Sequence, residues 1–501
     1  MMSALLAIII LAPIAGALTI LFIPEKEDVI IKCTAAFFTF ISLAASLTAY
    51  LTYDVAKGGM QFVMDIPWVN EFGIRFALGV DGISLPLILL TSLVIFTGVF
   101  ASWDMHHRIK EFFIFLLALV AGVFGVFASL DLFFFYLFFE VAVIPMYILI
   151  GVWGSTRKEY AAMKLTLYLL VGSAFVLIGA IAMFLYAADP VKGLGYRTFD
   201  IAALSTVKYD PAFQKFAFFL MMIGFGFLVP MWPLHTWSPD GHVAAPTAVS
   251  MLHAGVLMKL GGYGLIRVGL FCFPEGAHYW APLIATLCTV NATYGAFVAM
   301  VQKDLKFVIG YSSVSHMGYV LLGIASMNAV GLDGAVAQMF AHGIMTALFF
   351  SIVGNIYHKA HTRMIAEFGG LAHQMPRVAY SFMIAGLASL GLPGLYNFVA
   401  EFAIFMGSIQ VYPVRAIISI FAIVITAIYV LRVMMRVFFG PRNSRWDHME
   451  DAKGIEIVPF VILCGTLILF GVFPDLLMGM INNGVVPLAE KLAAFKMGGI
   501  F

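Results

Sequence analysis

Stretches of about twenty mostly apolar residues follow one another along the whole chain, and that succession constrains the fold more than any motif does. A helix needs about 20 such residues to cross a bilayer. About fourteen segments meet the criterion, near 3–23, 29–53, 81–103, 111–130, 132–153, 162–187, 213–233, 246–270, 280–301, 306–327, 331–356, 378–410, 414–438 and 457–480. The runs are too long, and alternate too little, for a β-barrel. The expected fold class is therefore an all-α polytopic membrane protein. Composition supports this: of 501 residues 62% are hydrophobic and 11% charged, against roughly a quarter charged in soluble domains. A water-soluble enzyme, a disordered chain and a disulfide scaffold are excluded. A formal net charge of +1 leaves no electrostatic footprint for nucleic acid. Cys33, Cys272, Cys288 and Cys464 lie far apart in apolar stretches, with no CxxC pair for a metal or cluster. The first segment, MMSALLAIIILAPIAGALTILFI, lacks a basic n-region and a small-residue cleavage site, so it reads as a retained span rather than a signal peptide.

Lysine and arginine set the orientation. The short loops after odd-numbered spans carry Lys26, Arg108, Lys110, Arg157, Lys158, Lys303, Lys306, Lys359, Arg363, Arg377, Arg436, Arg442, Arg445 and Lys453, whereas those after even-numbered spans carry little beyond Arg267 and Arg415. The odd loops are expected to be cytoplasmic and both termini to face the other side. Two spans look interrupted, one by Pro230 and Pro233 in GFLVPMWPLHTW, the other by Pro393 in GLPGLYNF. Proline inside a span frees backbone carbonyls that only protein or water can satisfy. The breaks fall five spans apart, as they would if spans 4–8 were repeated, inverted, as spans 9–13, and paired broken helices point to an ion pathway. The expected organisation is an N-terminal three-helix segment (1–103), a first five-helix repeat (111–270), a second (280–438), and a last helix with its tail (457–501).

Charge inside a bilayer calls for an explanation, costing at least about 2.5–3.5 kcal/mol per residue on insertion scales. Glu140 lies in the middle of the fifth segment, Lys259 in the eighth, and Glu401 just after the break in the twelfth. Lys164 lies near the start of the sixth, where it could also snorkel to the interface. His253 stands six residues before Lys259, His316 lies in YSSVSHMGYV and His342 in AQMFAHGIM. Taken alone, an intrahelical histidine is more often a satisfied core residue. His316 and His342 gain weight by lying between Lys259 and Glu401 in helix order. His235 and His242 flank the TWSPD stretch and are expected to fix its shape. Desolvation favours the neutral form of a carboxylate or an ammonium, and a nearby opposite charge does the reverse. Such groups can therefore pass protons through bound water with no metal or organic cofactor. No phosphate loop, nucleophile triad or metal-ligand cluster appears.

The runs PLHTWSPDGHVAAPTAVSMLHAGVLMKLGGYGLIR, KDLKFVIGYSSVSHMGY and FFEVAVIPMYILIGVWG with RKEYAAMKLTLY resemble the antiporter-like subunits of respiratory complex I, most nearly the subunit M type equivalent to mitochondrial subunit 4. The resemblance spans the third segment to the fourteenth. It implies fourteen helices with two inverted five-helix repeats broken at helices 7 and 12, and a role in proton translocation coupled to electron transfer elsewhere. It also implies site roles for Glu140 as the fifth-helix glutamate, Lys259 as the central lysine, His316 and His342 as the polar axis, and Glu401 as the exit glutamate. By the same resemblance this chain binds no cofactor, while NADH, FMN, iron–sulfur clusters and quinone belong to partner subunits. The implied setting is a bacterial inner (cytoplasmic) membrane beside further antiporter-like subunits.

One departure matters. Where the family usually writes a lysine before the seventh-helix break, this chain has Leu228, Val229 and Pro230. Glu140 thus lacks its usual partner, and Lys164 is the nearest substitute by helix order. Otherwise the first half-channel works differently or no longer conducts. Two rival readings remain: a subunit of a multi-subunit cation/proton antiporter, and a spacer that conducts nothing. The tail VVPLAEKLAAFKMGGIF reads as a surface-lying or partner-binding helix, or equally as a frayed end.

Overall fold

The computed structural model describes residues 4–498. Among them, thirteen helices are long and apolar enough to cross a membrane. The first six spans are Ala4–Phe22, Asp28–Thr52, Ser84–Ala101, Ile109–Ala128, Leu132–Trp153 and Lys158–Ala188. The seventh is discontinuous: Pro211–Leu228, an irregular stretch, then Trp237–Ala244. Spans eight to eleven are Thr247–Leu270, Pro274–Val301, Leu305–Ser326 and Ala329–Ala360. The twelfth is also split, into Pro376–Ser389 and Tyr396–Ile409, two pieces each too short to cross alone. Pro413–Phe438 and Gly454–Val472 complete the set. The all-α polytopic fold is as the sequence leads one to expect, and both proline-bearing segments are broken.

Three boundaries differ from expectation. The residues after Pro230 leave the helix earlier than the 213–233 segment implies. The last span ends at Val472 rather than near 480, and a separate helix, Asp475–Gly498, begins after Pro474. Proline fits a junction of this kind because it cannot extend the preceding helix's hydrogen bonding. The segment 54–80, read as a loop, holds an antiparallel hairpin, β1 Gln61–Val69 and β2 Ile74–Val80, turned through Asn70–Phe72 with Gly73 at φ +64°. Its first strand, QFVMDIPWV, shows no apolar–polar alternation that would set it apart as a strand.

The ends after even-numbered spans are gathered by the hairpin and the last helix. Asp131 caps the fifth span by accepting from Phe133 N and Phe134 N, and also accepts from Arg75 N of β2 at 3.1 Å. The helix Asp475–Gly498 buries Leu477, Ile481, Val485, Leu488 and Leu492. Its Lys491 donates to the Ser205 and Phe271 carbonyls, and its Asn482 to Asp333 Oδ2. The expected tail helix therefore lies across this chain's own helix ends; residues 499–501 of that segment fall outside the described residues.

Spans eight and eleven sit at the centre, enclosed by other helices along their whole hydrophobic windows. The eighth is tied to the third by a buried ion pair, Arg267 Nη2 to Asp81 Oδ2 at 2.5 Å, with Arg267 Nε also donating to Tyr263 Oη at 3.3 Å. Asp81 Oδ1 accepts from Ile83 N and Ser84 N as well, capping the third span. Removing one partner of such a pair strands the other charge. Asp81→Ala is expected to destabilise the fold by about 3–5 kcal/mol. Asp81→Leu combined with Arg267→Met is expected to recover most of that loss, read as thermal unfolding of the purified complex.

Candidate functional site

The centre of the site is Lys259, which is wholly buried. It follows a π-helical turn, His253–Leu257, within the eighth span. The wide turn brings the Ala254 carbonyl onto the lysine's own ammonium, which donates to it. The ammonium also contacts His342 Nδ1 at 2.7 Å. From there the line continues through the tenth, eleventh and twelfth spans. The His342 and His316 rings lie 5.3 Å apart. His316 Nε2 is 3.5 Å from Glu401 Oε1, and Gln338 Nε2 donates to the same oxygen at 3.2 Å. The structure thus brings four of the expected residues, Lys259, His342, His316 and Glu401, into one unbroken series of contacts.

The break in the twelfth span is what admits Glu401. Its second half runs closely along the eleventh span, where a Cβ on Gly334 would stand 2.5 Å from Ile404 N. Within the break Gly391 holds φ +64°, and a Cβ there would meet Glu401 Oε2 at 2.7 Å. The unwound backbone therefore forms one wall of the carboxylate's site.

On the side of the odd-numbered loops, the other break carries a second group of residues. The His242 and His253 rings lie 4.2 Å apart, and Ser238 Oγ is 3.1 Å from His242 Nε2. His242 Nδ1 and both nitrogens of His253 have no partner among the described residues, although both side chains are buried. Buried polar atoms of this kind are normally satisfied by internal water. Lys306 Nζ donates to the Ala245 carbonyl at 2.7 Å and lies 3.3 Å from Ser250 Oγ. Arg363 donates to the Val243 carbonyl at 3.1 Å and pairs with Asp304. Cations from three different elements thus fasten the short helix Trp237–Ala244 in place, the third being Lys164, whose ammonium is 2.7 Å from Asp240 Oδ2.

That last contact corrects the expectation for Lys164, which does not substitute as the partner of Glu140. The reason is depth. With a rise of about 1.5 Å per residue, Glu140 lies eight residues from the start of its span at the opposite face. Lys164 lies six residues from its own start at the odd-loop face. Glu140 is half-buried, and its Oε1 has no hydrogen-bond partner among the described residues. Leu228, buried at the end of the first half of span seven, offers it nothing polar. His242 was expected only to shape a loop, but it lies in a helix, against His253. Three residues escaped sequence reasoning: Lys306, which reads as a loop charge, Asp240, and Gln338, whose signal was its place four residues before His342. Among the described residues no group of three His, Cys, Asp or Glu side chains is arranged to hold a metal ion.

Comparison with known proteins shows the family and agrees with the fold. Residues 129–426 match the family described as NADH:quinone oxidoreductase/Mrp antiporter, transmembrane. NADH-quinone oxidoreductase subunit M of Rhodobacter capsulatus is 37% identical over 502 residues, covering 98% of this chain and 98% of that one. A chain of respiratory complex I from Thermus thermophilus superposes with a TM-score of 0.88 at 28% identity, over 99% of both chains. A chain of the Mrp complex from Dietzia has a TM-score of 0.85 at 19% identity, again over 99% of each, and so shares the fold.

The geometry around Glu401 separates two glycines. Gly391→Ala is expected to cost more than about 1 kcal/mol, from both the left-handed backbone and the clash with the carboxylate. Gly394 also has positive φ, at +95°, but nothing lies within 4 Å of a Cβ there, so Gly394→Ala is expected to cost less. Thermal unfolding of the two variants checks the order.

Proposed function

The chain belongs to the NADH:quinone oxidoreductase/Mrp antiporter family of transmembrane subunits, and we propose that it carries protons through the membrane arm of a complex I-type enzyme. The observation that supports this reading most directly is the continuous line Lys259–His342–His316–Glu401, enclosed by helices and ending beside a broken span. Each member can gain and lose a proton. Each touches the next or lies within one water of it, so a proton can hop without any large side-chain movement. The chain itself performs no redox step. NADH, FMN, iron–sulfur clusters and quinone are taken up by partner subunits, and electron transfer there drives changes in pairing along the line.

In this reading protons enter from the odd-loop side, through the hydrated group around Lys306, His242 and His253, and leave past Glu401. The odd loops face the cytoplasm of a bacterium and both termini the opposite side, as the distribution of Lys and Arg favours. Spans 4–8 and 9–13 act as two inverted repeats, each with its own break. Neighbouring antiporter-like subunits cover the broad apolar faces, and lipid covers the remainder. Lys164 serves the relay indirectly, by holding Asp240 and with it the short helix that carries His242.

The family also contains cation/proton antiporter subunits, and the likeness to the Mrp chain keeps that alternative specific. Quinone reduction by the isolated complex distinguishes the two: sodium–proton exchange without it favours the antiporter. For the main reading, the purified complex is reconstituted in liposomes, and pumped protons per electron are compared for wild type, Lys259→Ala and Glu401→Gln. Both variants are expected to keep electron transfer and to lose a share of pumping. An unchanged ratio in both would make the chain a scaffold.

A further inference from the structure

We infer that Tyr429 is a positioning residue for the relay, acting on His316 through the hydroxyl of Ser312; this rests on the proton-carrying role proposed above. The thirteenth span, Pro413–Phe438, is mostly an outer helix, with Ile417, Phe421, Val424, Ile428 and Leu431 exposed. Tyr429 is an exception. It is buried, and its Oη donates to Ser312 Oγ of the tenth span at 2.8 Å. Ser312 Oγ in turn lies 3.4 Å from His316 Nδ1, and the Ser312 carbonyl lies 2.8 Å from the same nitrogen.

One residue therefore presents both an acceptor and a rotatable hydroxyl to a single ring nitrogen. When Nδ1 carries hydrogen, it donates to the Ser312 carbonyl. When Nδ1 is bare, the Ser312 hydroxyl turns and donates to it. Because Tyr429 already donates to Ser312 Oγ, the serine's own hydrogen is left free to turn. In this exchange the Ser312 O–H bond stays intact and only rotates, the hydrogen leaving Nδ1 is the proton handed along the line, and the ring keeps its place. That matters because its other nitrogen faces Glu401 Oε1 at 3.5 Å and the Ser389 carbonyl at 3.3 Å. A proton can then arrive on one side of the ring and leave from the other without a ring flip.

The Tyr429 hydroxyl also has the Thr426 and Ser389 side chains within reach, while Ser312 is the partner it donates to, and Tyr429 and Ser312 together border a small cavity. The small cavity they border is otherwise walled by apolar side chains, among them Val308, Ile309, Phe349, Phe382 and Val430. The titratable groups that face His316 are His342 at 5.3 Å and Tyr319 at 5.5 Å between ring centroids, and Glu401. Lys259 reaches it only through His342.

The test uses the whole complex in liposomes and compares Tyr429→Phe, His316→Gln and the pair together. Tyr429→Phe is expected to lower pumped protons per electron, by no more than His316→Gln does. Added to His316→Gln it is expected to change nothing further, because residues acting through one another are not additive. An unchanged ratio in Tyr429→Phe, or a loss that adds in full to that of His316→Gln, overturns the inference. If Tyr429→Phe does not assemble, Ser312→Ala carries the same comparison. Lys259→Ala in the same preparation separates the two levels. If it loses pumping while Tyr429→Phe does not, only this inference fails. If it too keeps the wild-type ratio, the proton-carrying reading fails first.

Discussion

Everything at the centre of this protein depends on a lysine side chain, Lys259, that is wholly buried. No carboxylate among the described residues lies within ion-pair distance of Lys259; its contacts are the Ala254 carbonyl and the ring of His342. An isolated buried charge is costly, and a neutral histidine compensates it only in part. The fold answers by enclosing spans eight and eleven completely and by supplying polar groups at measured intervals. A group this poorly paired is held in place by packing rather than by charge.

The two breaks serve that centre in different ways. In the twelfth span the unwound backbone makes room for the Glu401 carboxylate, and glycine at 391 suits both the left-handed backbone there, φ +64°, and the close approach of the carboxylate. In the seventh span the break yields a short helix held from three directions by Lys164, Lys306 and Arg363. Lys306 and Arg363 were legible as loop charges counted toward the expected orientation, and Lys164 as a charge near the start of the sixth segment. The structure gives them a second use, since the short helix they hold carries His242. Orientation signal and site scaffold thus draw on the same residues.

The spans were legible because a bilayer imposes one length and one composition on any helix that crosses it. The hairpin at 61–80 was not, since its first strand shows no apolar–polar alternation, and the span signal hid the junction at Pro474, where the residues remain apolar but the helix does not continue. Glu140, Lys259 and Glu401 were legible because charge inside a span is rare, and His316 and His342 because of their order between Lys259 and Glu401. Lys306 and Asp240 were not, since each lies near a span end where charge is ordinary. Tyr429 and Ser312 carry no charge at all, and only the pairing of two spans far apart in sequence shows that they meet. The mistaken partner for Lys164 has the same origin: helix order says which spans are neighbours, but not at what depth their side chains stand.

Depth also separates the two halves of the molecule. Along the line from Lys259 in span eight to Glu401 in span twelve every titratable group has a titratable neighbour, and the groups lie on four different spans, so packing holds the series together. In the first half Glu140 stands apart from that line, with the Tyr136 side chain beside it and Leu137, Val141 and Ile144 exposed around it. With Leu228 where the resemblance leads one to expect a lysine, nothing in span seven draws the carboxylate inward. The contacts from Lys259 to Glu401 are therefore made wholly within this chain, whereas Glu140 stands outside them, among exposed apolar residues.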